Sequence, residues 1–189
     1  MNKAEPYNGM RVLSSYHRKG GVGKTFLAST IAYLLASGGP DGKGVKRRVL
    51  VLDYDSQQDS SKAFLKMDAI PGDDEYASPL HPEVDEIDDP EWSGRNTSTD
   101  ILFDSPVYEY PTAFENIKVL PSEGNVDRVL SMTPQTASLA PTITKYMRDW
   151  FSIPDLAGDY DIVIVDNPPS KSPVSAGILG AATHVIIPT

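Results

Sequence analysis

A glycine-rich stretch near the start of the chain carries residue types that bind phosphate: Lys19-Gly20-Gly21-Val22-Gly23-Lys24-Thr25. It follows the apolar run 10–13 and precedes the helix-prone run 27–36. Glycines let successive backbone N–H groups surround an anion, and the N-terminus of a helix attracts the same charge. Lys24 can reach the β- and γ-phosphates, and the Thr25 hydroxyl can bind Mg²⁺. The stretch therefore predicts a loop that binds the phosphates of a nucleotide.

Carboxylates that suit nucleotide hydrolysis follow two apolar runs further along the chain. The run 49–52 ends in Asp53-Tyr54-Asp55, and the run 161–165 ends in Asp166. An aspartate at a strand end is also a common helix cap, so each one alone is ambiguous. Mg²⁺ prefers oxygen ligands and keeps several waters, and Thr25 with an aspartate acting through water fits that preference. We expect Asp166 to be the metal-site carboxylate.

The elements that must position these residues alternate between strand-like and helix-like patterns. Continuous apolar runs of strand length suit strands that are buried on both faces of a parallel sheet. Strands are predicted at 10–16, 49–52, 117–120, 161–166 and 185–188. Helices are predicted at 25–37, 56–67, 97–103, 125–132, 140–151 and 174–182. The helix at 140–151 is amphipathic, with a core stripe of Ile143, Tyr146, Met147 and Trp150.

This alternation predicts an α/β fold with a mostly parallel sheet covered by helices on both faces. Right-handed crossovers bring the C-terminal ends of the strands to one edge of the sheet, where ligands bind in such folds. The phosphate loop, Asp53, Asp55 and Asp166 all follow strands, so we expect them to meet there. They would assemble a phosphate cradle, a metal shell and a group that orients water.

Composition limits the other classes of function. The 189 residues suffice for one domain, and they contain no cysteine and three histidines, which excludes disulfides, thiolate-bound iron–sulfur clusters and cysteine zinc sites. The N-terminus lacks the apolar core of a signal peptide, and no apolar run has transmembrane length. We therefore expect a cytoplasmic protein with a single domain at 1–189.

The net charge of −9 is concentrated in one segment. Residues 67–94, which we call the acidic segment, hold ten Asp and Glu and no Lys or Arg, and prolines interrupt them. The other residues carry 17 basic against 16 acidic side chains, so the acidity does not exclude a DNA-binding surface elsewhere. We expect an exposed loop or insertion at 67–96, with recognition of a basic partner as the alternative.

Three motifs resemble those of the ParA/MinD ATPases, whose phosphate loop is a deviant Walker A motif. The loop at 19–25 lacks the usual first glycine, since position 18 is Arg18, and carries the extra Lys19. Asp53-Tyr54-Asp55-Ser56-Gln57 resembles the Asp-x-Asp-Pro-Gln segment of ParA proteins. Residues 160–170 resemble the Walker B strand and the turn after it, and 185–188 match the next strand. The motifs occur in the family's order and favour a P-loop NTPase of the ParA type.

The resemblance implies ATP and Mg²⁺ as cofactors and an ATP-bound homodimer as the active form. Lys19 would reach the partner's phosphates, so that assembly completes the site, and Lys24 and Asp55 would be catalytic, with Asp55 orienting the attacking water. Thr25, Asp53 and Asp166 would form the metal site. The nucleotide-binding residues would be those of the loop together with the next residue in the chain: Lys19, Gly20, Gly21, Val22, Gly23, Lys24, Thr25 and Phe26.

The chain departs from the family pattern at several positions. Phe26 stands where a second threonine is usual, Ser56 where proline is usual, Gln58 at a common glycine and Asp59 at a common asparagine. The family domain normally continues past the strand at 185–188 with further strands and helices. Those parts supply much of the adenine pocket and, in ParA, a basic surface for non-specific DNA, so the chain is expected to be truncated at its C-terminus.

Three functions follow from the resemblance. The favoured one is plasmid or chromosome partition with a ParB-like centromere-binding adaptor, non-specific DNA bound through parts outside this chain, and a possible place at the nucleoid. A MinD-like membrane-associated positioning ATPase is the first alternative, and it needs a C-terminal amphipathic helix that this sequence does not contain. A non-hydrolysing nucleotide-dependent regulator is the second.

Overall fold

The computed structural model describes residues 6–72, 76–124, 139–169 and 171–188. Its main sheet has six strands: β1 (Arg11–Ser15), β2 (Val49–Asp53), β5 (Tyr110–Pro111), β6 (Ile117–Leu120), β7 (Ile162–Asp166) and β8 (His184–Ile186). Their order across the sheet is β5-β6-β2-β7-β1-β8. Every neighbouring pair is parallel except β5 and β6. The predicted mostly parallel sheet is confirmed, and the C-terminal ends of β1, β2 and β7 lie side by side.

Five α-helices and two short 3-10 helices accompany the strands in the described part of the chain. The α-helices are α1 (Lys24–Ser37), α2 (Asp59–Phe64), α3 (Leu139–Phe151), α4 (Pro154–Asp159) and α5 (Pro173–Ala181). The 3-10 helices span Pro6–Gly9 and Ser98–Phe103. The predicted helix at 125–132 lies outside the described residues.

Two apolar clusters cover the two faces of the sheet. On one face α1 buries Ala28, Ala32 and Ala36 against Val51 and Ile164, since small residues at every fourth position allow close approach. On the other face α3 and α5 pack over alternate residues of β2 and β7, such as Leu52 and Val165. Helices therefore lie on both faces, as the apolar runs predict.

The stripe of α3 is partly as predicted. Ile143 and Met147 are fully buried together with Phe151, while Tyr146 and Trp150 are half-buried. Trp150 packs against the edge of the same cluster. The apolar stripe of α3 therefore belongs to the core, as its helical spacing predicts.

The acidic segment has little regular structure, in agreement with its prolines. A two-stranded antiparallel pair, β3 (Asp68–Ala69) with β4 (Tyr76–Ala77), is its main regular element among the described residues. The residues after β4 nevertheless pack: His81 is buried between the rings of Trp92 and Tyr110. Trp92 also contacts the tilted ring of Tyr108 at 4.5 Å between ring centres. The segment is thus held against the domain by aromatic contacts while most of its carboxylates remain exposed.

Candidate nucleotide site

The glycine-rich loop joins the end of β1 to the first turn of α1. Gly21 and Gly23 have φ angles of 72° and 84°, in the left-handed region that favours glycine. A Cβ added at Gly20, Gly21 or Gly23 would meet no atom within 4 Å, so the loop surface is open to a ligand. Gly23 caps α1, whose N-terminal N–H groups point into this loop. The backbone therefore has the shape of the predicted phosphate cradle.

The two lysines of the loop differ in their surroundings. Lys24 begins α1 and is only 5% exposed, whereas Lys19 is exposed. The Lys19 N–H donates to His17 Nδ1 at 3.0 Å. A buried ammonium at a helix N-terminus is positioned for an anion bound in the same loop, because the low local dielectric strengthens their attraction. Lys19 is accessible to a partner molecule, as its predicted role requires.

Asp166 lies at the centre of the site. It ends β7 and pairs in register with Ser15 of β1 on one side and with Asp53 of β2 on the other. Its Oδ1 accepts from Ser15 Oγ at 2.9 Å, and its Oδ2 accepts from Ser60 Oγ at 2.7 Å. The side chain is fully buried directly below the start of the phosphate loop. Two hydroxyl donors keep the carboxylate oriented and leave lone pairs for further donors.

Asp53 is held more tightly than the sequence suggests. Its Oδ1 accepts from the Asp55 N–H at 3.0 Å, and its Oδ2 accepts from the Ser61 N–H at 2.8 Å and from Ser61 Oγ at 2.7 Å. Burial, followed by the nearby charge of Asp166, raises the pKa of Asp53 to about 7. The geometry favours Asp53 as an anchor for α2, and its role in a metal shell stays a prediction.

Asp55 lies in the turn between β2 and α2 and is 7% exposed. Its Oδ1 accepts from the Gln57 N–H at 3.1 Å. Burial raises the pKa of Asp55, the Gln57 N–H and the Lys24 ammonium act in the opposite direction, and Asp166 adds to the rise. The structure thus places Asp55 where the charges of both Asp166 and Lys24 act on its carboxyl, at the sheet edge where the sequence predicts that these residues meet.

Several polar residues of this site were missed by sequence reasoning. Ser15, Ser60 and Ser61 orient the carboxylates, and Asn167 links the ends of β1 and β7 by donating from Nδ2 to Ser14 Oγ and to the Ser15 carbonyl at 3.1 Å. The sequence signal that could have indicated them is the serine pair at 14–15, which ends the apolar run of β1. Asn167 Oδ1 has no hydrogen-bond partner among the described residues, although the side chain is fully buried. Because the Ser15 carbonyl only accepts, it fixes the orientation of this amide.

The donor set suits Mg²⁺ bound together with a nucleotide. Within the described ranges no group of three or more His, Cys, Asp or Glu side chains forms a ready cation cage. Mg²⁺ is usually held by one or two carboxylates with waters and substrate phosphates, so the Thr25 hydroxyl and Asp166 would suffice as protein partners, and this assignment stays a prediction. Phe26, which stands where the resemblance leads one to expect a threonine, is 76% exposed on the first turn of α1.

Comparison with known proteins gives one family match and one curated relative. A family model described as an AAA domain matches residues 10–189. The chromosome partitioning protein ParA of Myxococcus xanthus (strain DK1622) is 28% identical over 181 residues. That alignment includes 94% of this chain and 51% of the relative, so the chain spans about half the length of the curated relative.

Solved structures share the fold at identities too low to show more than the fold. An ATP complex of a Cyanothece McdA variant matches at 20% identity with a TM-score of 0.65, covering 96% of this chain and 56% of McdA. Cobyrinic acid a,c-diamide synthase from Mycobacterium smegmatis with an ATP analogue and magnesium matches at 22%, with a TM-score of 0.58 and coverage of 95% and 60%. The pNOB8 ParA bound to nonspecific DNA matches at 22%, with a TM-score of 0.59 and coverage of 95% and 53%.

The described residues contain no helix that is both long enough and apolar enough to cross a membrane.

Proposed function

Because the chain belongs to the AAA-domain family of ParA-type ATPases, we propose that it is a DNA-partition ATPase that binds ATP with Mg²⁺ and hydrolyses it as a homodimer. The observation that carries the proposal is the meeting of Lys24, Asp55 and Asp166 beside an open glycine loop at one sheet edge. Phosphoryl transfer needs positioning and charge stabilisation more than covalent chemistry, and this arrangement offers both.

Each residue has a distinct task in the proposed reaction. The backbone N–H groups of 20–25 and the Lys24 ammonium bind the phosphates. Thr25 and Asp166 hold Mg²⁺, which neutralises negative charge on the phosphate oxygens when it is bound. Asp55 orients the attacking water.

Lys19 completes the site of a second copy. It is exposed at the rim of the loop, and its backbone N–H is already held by His17. A lysine supplied in trans stabilises the charge of the transition state only after two subunits meet, so hydrolysis depends on dimerisation. The relative from Myxococcus and the DNA-bound pNOB8 ParA support partition, with non-specific DNA as a partner of the whole protein. The ParB-like adaptor is proposed from the resemblance to the family alone.

Two variants test this proposal against a control. The purified protein is assayed for ATP binding, for phosphate release with and without Mg²⁺, and for molar mass by light scattering. Asp55→Ala should bind ATP and accumulate as a dimer. Lys19→Ala should bind ATP but release phosphate about 10³-fold more slowly. Lys43→Ala, which removes an exposed lysine outside the site, should behave like the parent.

The results separate the alternatives. ATP binding and dimerisation without Mg²⁺-dependent phosphate release in the parent protein would indicate a non-hydrolysing regulator. Phosphate release at the parent rate by Lys19→Ala would refute completion of the site in trans. A monomeric, fully active Asp55→Ala would refute the water-orienting role.

A further inference from the structure

Gln58 is a buried side chain at the entrance to α2 that the proposed reaction does not use. It is 1% exposed and has a left-handed backbone, with φ 58° and ψ 26°. Its Nε2 donates to the Tyr76 carbonyl at 2.7 Å and to the Ser122 carbonyl at 2.9 Å. Its Oε1 accepts from the Tyr76 N–H at 3.2 Å. The Gln58 amide thus pairs with the Tyr76 backbone as a neighbouring strand would, and all its strong donors and its acceptor are used.

The helix that follows Gln58 is bonded to the carboxylates of the nucleotide site. Ser60 donates to Asp166, and Ser61 donates to Asp53 through both its backbone and its hydroxyl. The Ser61 hydroxyl also accepts from the Ser122 N–H at 2.8 Å. Because these serines are fully buried, α2 cannot shift without breaking bonds to the site. A movement of Asp53 or Asp166 is therefore transmitted through α2 to Gln58.

The contacts of Gln58 continue into the acidic segment. β4 begins at Tyr76, and the carbonyl of Ser78, just after β4, accepts from the Arg95 guanidinium. The same guanidinium pairs with Asp68 of β3 at 2.8 Å. The Arg95 carbonyl accepts from Trp92 Nε1 at 3.1 Å. Hydrogen bonds, joined by the backbone from Tyr76 to Ser78 and by Arg95 itself, therefore connect Gln58 with the indole ring of Trp92.

We propose that Gln58 is a positioning residue that couples the nucleotide site to the acidic segment. Nucleotide binding changes the arrangement of the segment through the Gln58–Tyr76 pairing, and by linkage the state of the segment changes nucleotide affinity. The inference rests on the proposed function, since it needs a nucleotide in the loop. It extends that function by assigning the acidic segment to the regulation of the same site.

The protein contains its own reporter for this coupling. It has two tryptophans, so Trp150→Phe leaves Trp92 as the single indole. In this background, ATP with Mg²⁺ is titrated while Trp92 emission is recorded, and ATP affinity is measured separately by calorimetry. Trp92 emission should change and saturate at the same ATP concentration as binding. Emission that stayed insensitive to bound ATP would show that the acidic segment does not respond to the nucleotide site.

Substitution of Gln58 then tests the path. Gln58→Gly suits the left-handed backbone and removes all three bonds, while Gln58→Glu keeps the shape but loses both donors. Both should still bind ATP, and the Trp92 response to ATP should be lost, because the bonds that carry it are missing. Glu86→Gln, an exposed change inside the acidic segment, should keep the response.

The outcomes separate the coupling from the nucleotide site itself. ATP binding without a Trp92 response, or with an equal response in both Gln58 variants, would overturn the coupling and leave the proposed function standing. Absence of ATP binding in the Trp150→Phe protein, with the same result for the parent, would overturn the proposed function and the coupling with it.

Discussion

Substitution of Gly177 by alanine tests how closely α3 and α5 approach each other. A Cβ at Gly177 would overlap Ile143 Cγ2, and it would lie 2.6 Å from Ile143 Cβ and 3.0 Å from the Ala140 carbonyl oxygen. Ordinary contacts begin near 3.4 Å, so the helices would have to separate by roughly 1 Å. Ile143 is buried and its branched side chain has one preferred rotamer in a helix, so it cannot turn away.

The expected cost follows from two opposing effects. Overpacking of a well-filled core costs about 1–3 kcal/mol, and the contacts with Ile143 and a carbonyl oxygen place Gly177→Ala near the top of that range. Replacement of a helical glycine by alanine returns about 1 kcal/mol. We therefore expect Gly177→Ala to lower the free energy of unfolding by about 2 kcal/mol, or a fall in Tm of about 4–8 °C for a domain of this size.

Gly158 provides the matched control. It lies in α4, and a Cβ there would meet no atom within 4 Å, so Gly158→Ala should stabilise the protein by about 0.5–1 kcal/mol. Urea unfolding of both variants, followed by circular dichroism, measures the difference. If Gly177→Ala proved as stable as Gly158→Ala, the close approach of α3 and α5 would be refuted.

Two further predictions concern the site. Lys24→Ala should abolish ATP binding in calorimetry, because the loop loses its buried charge, and unchanged affinity would contradict the assignment of the loop. In protein free of nucleotide and metal, burial and Asp166 raise the pKa of Asp53 from 3.8 to about 7. The stabilising effect of the protonated carboxyl is complete below about pH 4 and disappears as the pH rises through 7, so Asp53→Asn should gain stability relative to the parent between about pH 4 and 7. A difference in unfolding free energy that does not change with pH would contradict the raised pKa of Asp53.

Local patterns were sufficient to predict most elements of the sheet. The apolar runs at 49–52 and 161–166 are strands because their side chains are buried on both faces, and the glycine loop is found where strand, turn and helix signals meet. These signals lie within a few residues of each other. The strands they predict, and helix α1, differ from the observed bounds by at most two residues.

The start of α2 was not predicted, because its cause lies far away in the sequence. The pattern predicts a helix over 56–67, whereas α2 spans Asp59–Phe64. The Asp55 carbonyl accepts from the Gln58 N–H at 2.9 Å, and Gln58 takes a left-handed backbone that no helix continues. Hydrogen bonds from the Gln58 side chain to Tyr76 and Ser122, 18 and 64 residues away, stabilise that conformation. No local pattern contains them.

The packing of the acidic segment was also not predictable from its composition. Charge and proline favour an exposed loop, and most of its carboxylates are indeed exposed. The buried ring of His81, however, contacts Tyr110, which belongs to β5 at the edge of the main sheet. The Tyr110 hydroxyl donates to the Pro79 carbonyl at 2.8 Å. Such contacts depend on the position of β5, which pairs antiparallel with β6 and has only two residues.

The meeting of Asp53 and Asp166 depends on strand register as well as on residue type. In β2, Asp53 is in phase with Val49 and Val51, which pack toward α1, and in β7, Asp166 is in phase with Ile162 and Ile164 on the same face. A slip of one residue between these strands would move every side chain of one strand to the other face. It would turn Asp166 toward α3, away from Ser60. The apolar alternation that holds α1 on the sheet therefore also places the site carboxylates on the side of the phosphate loop.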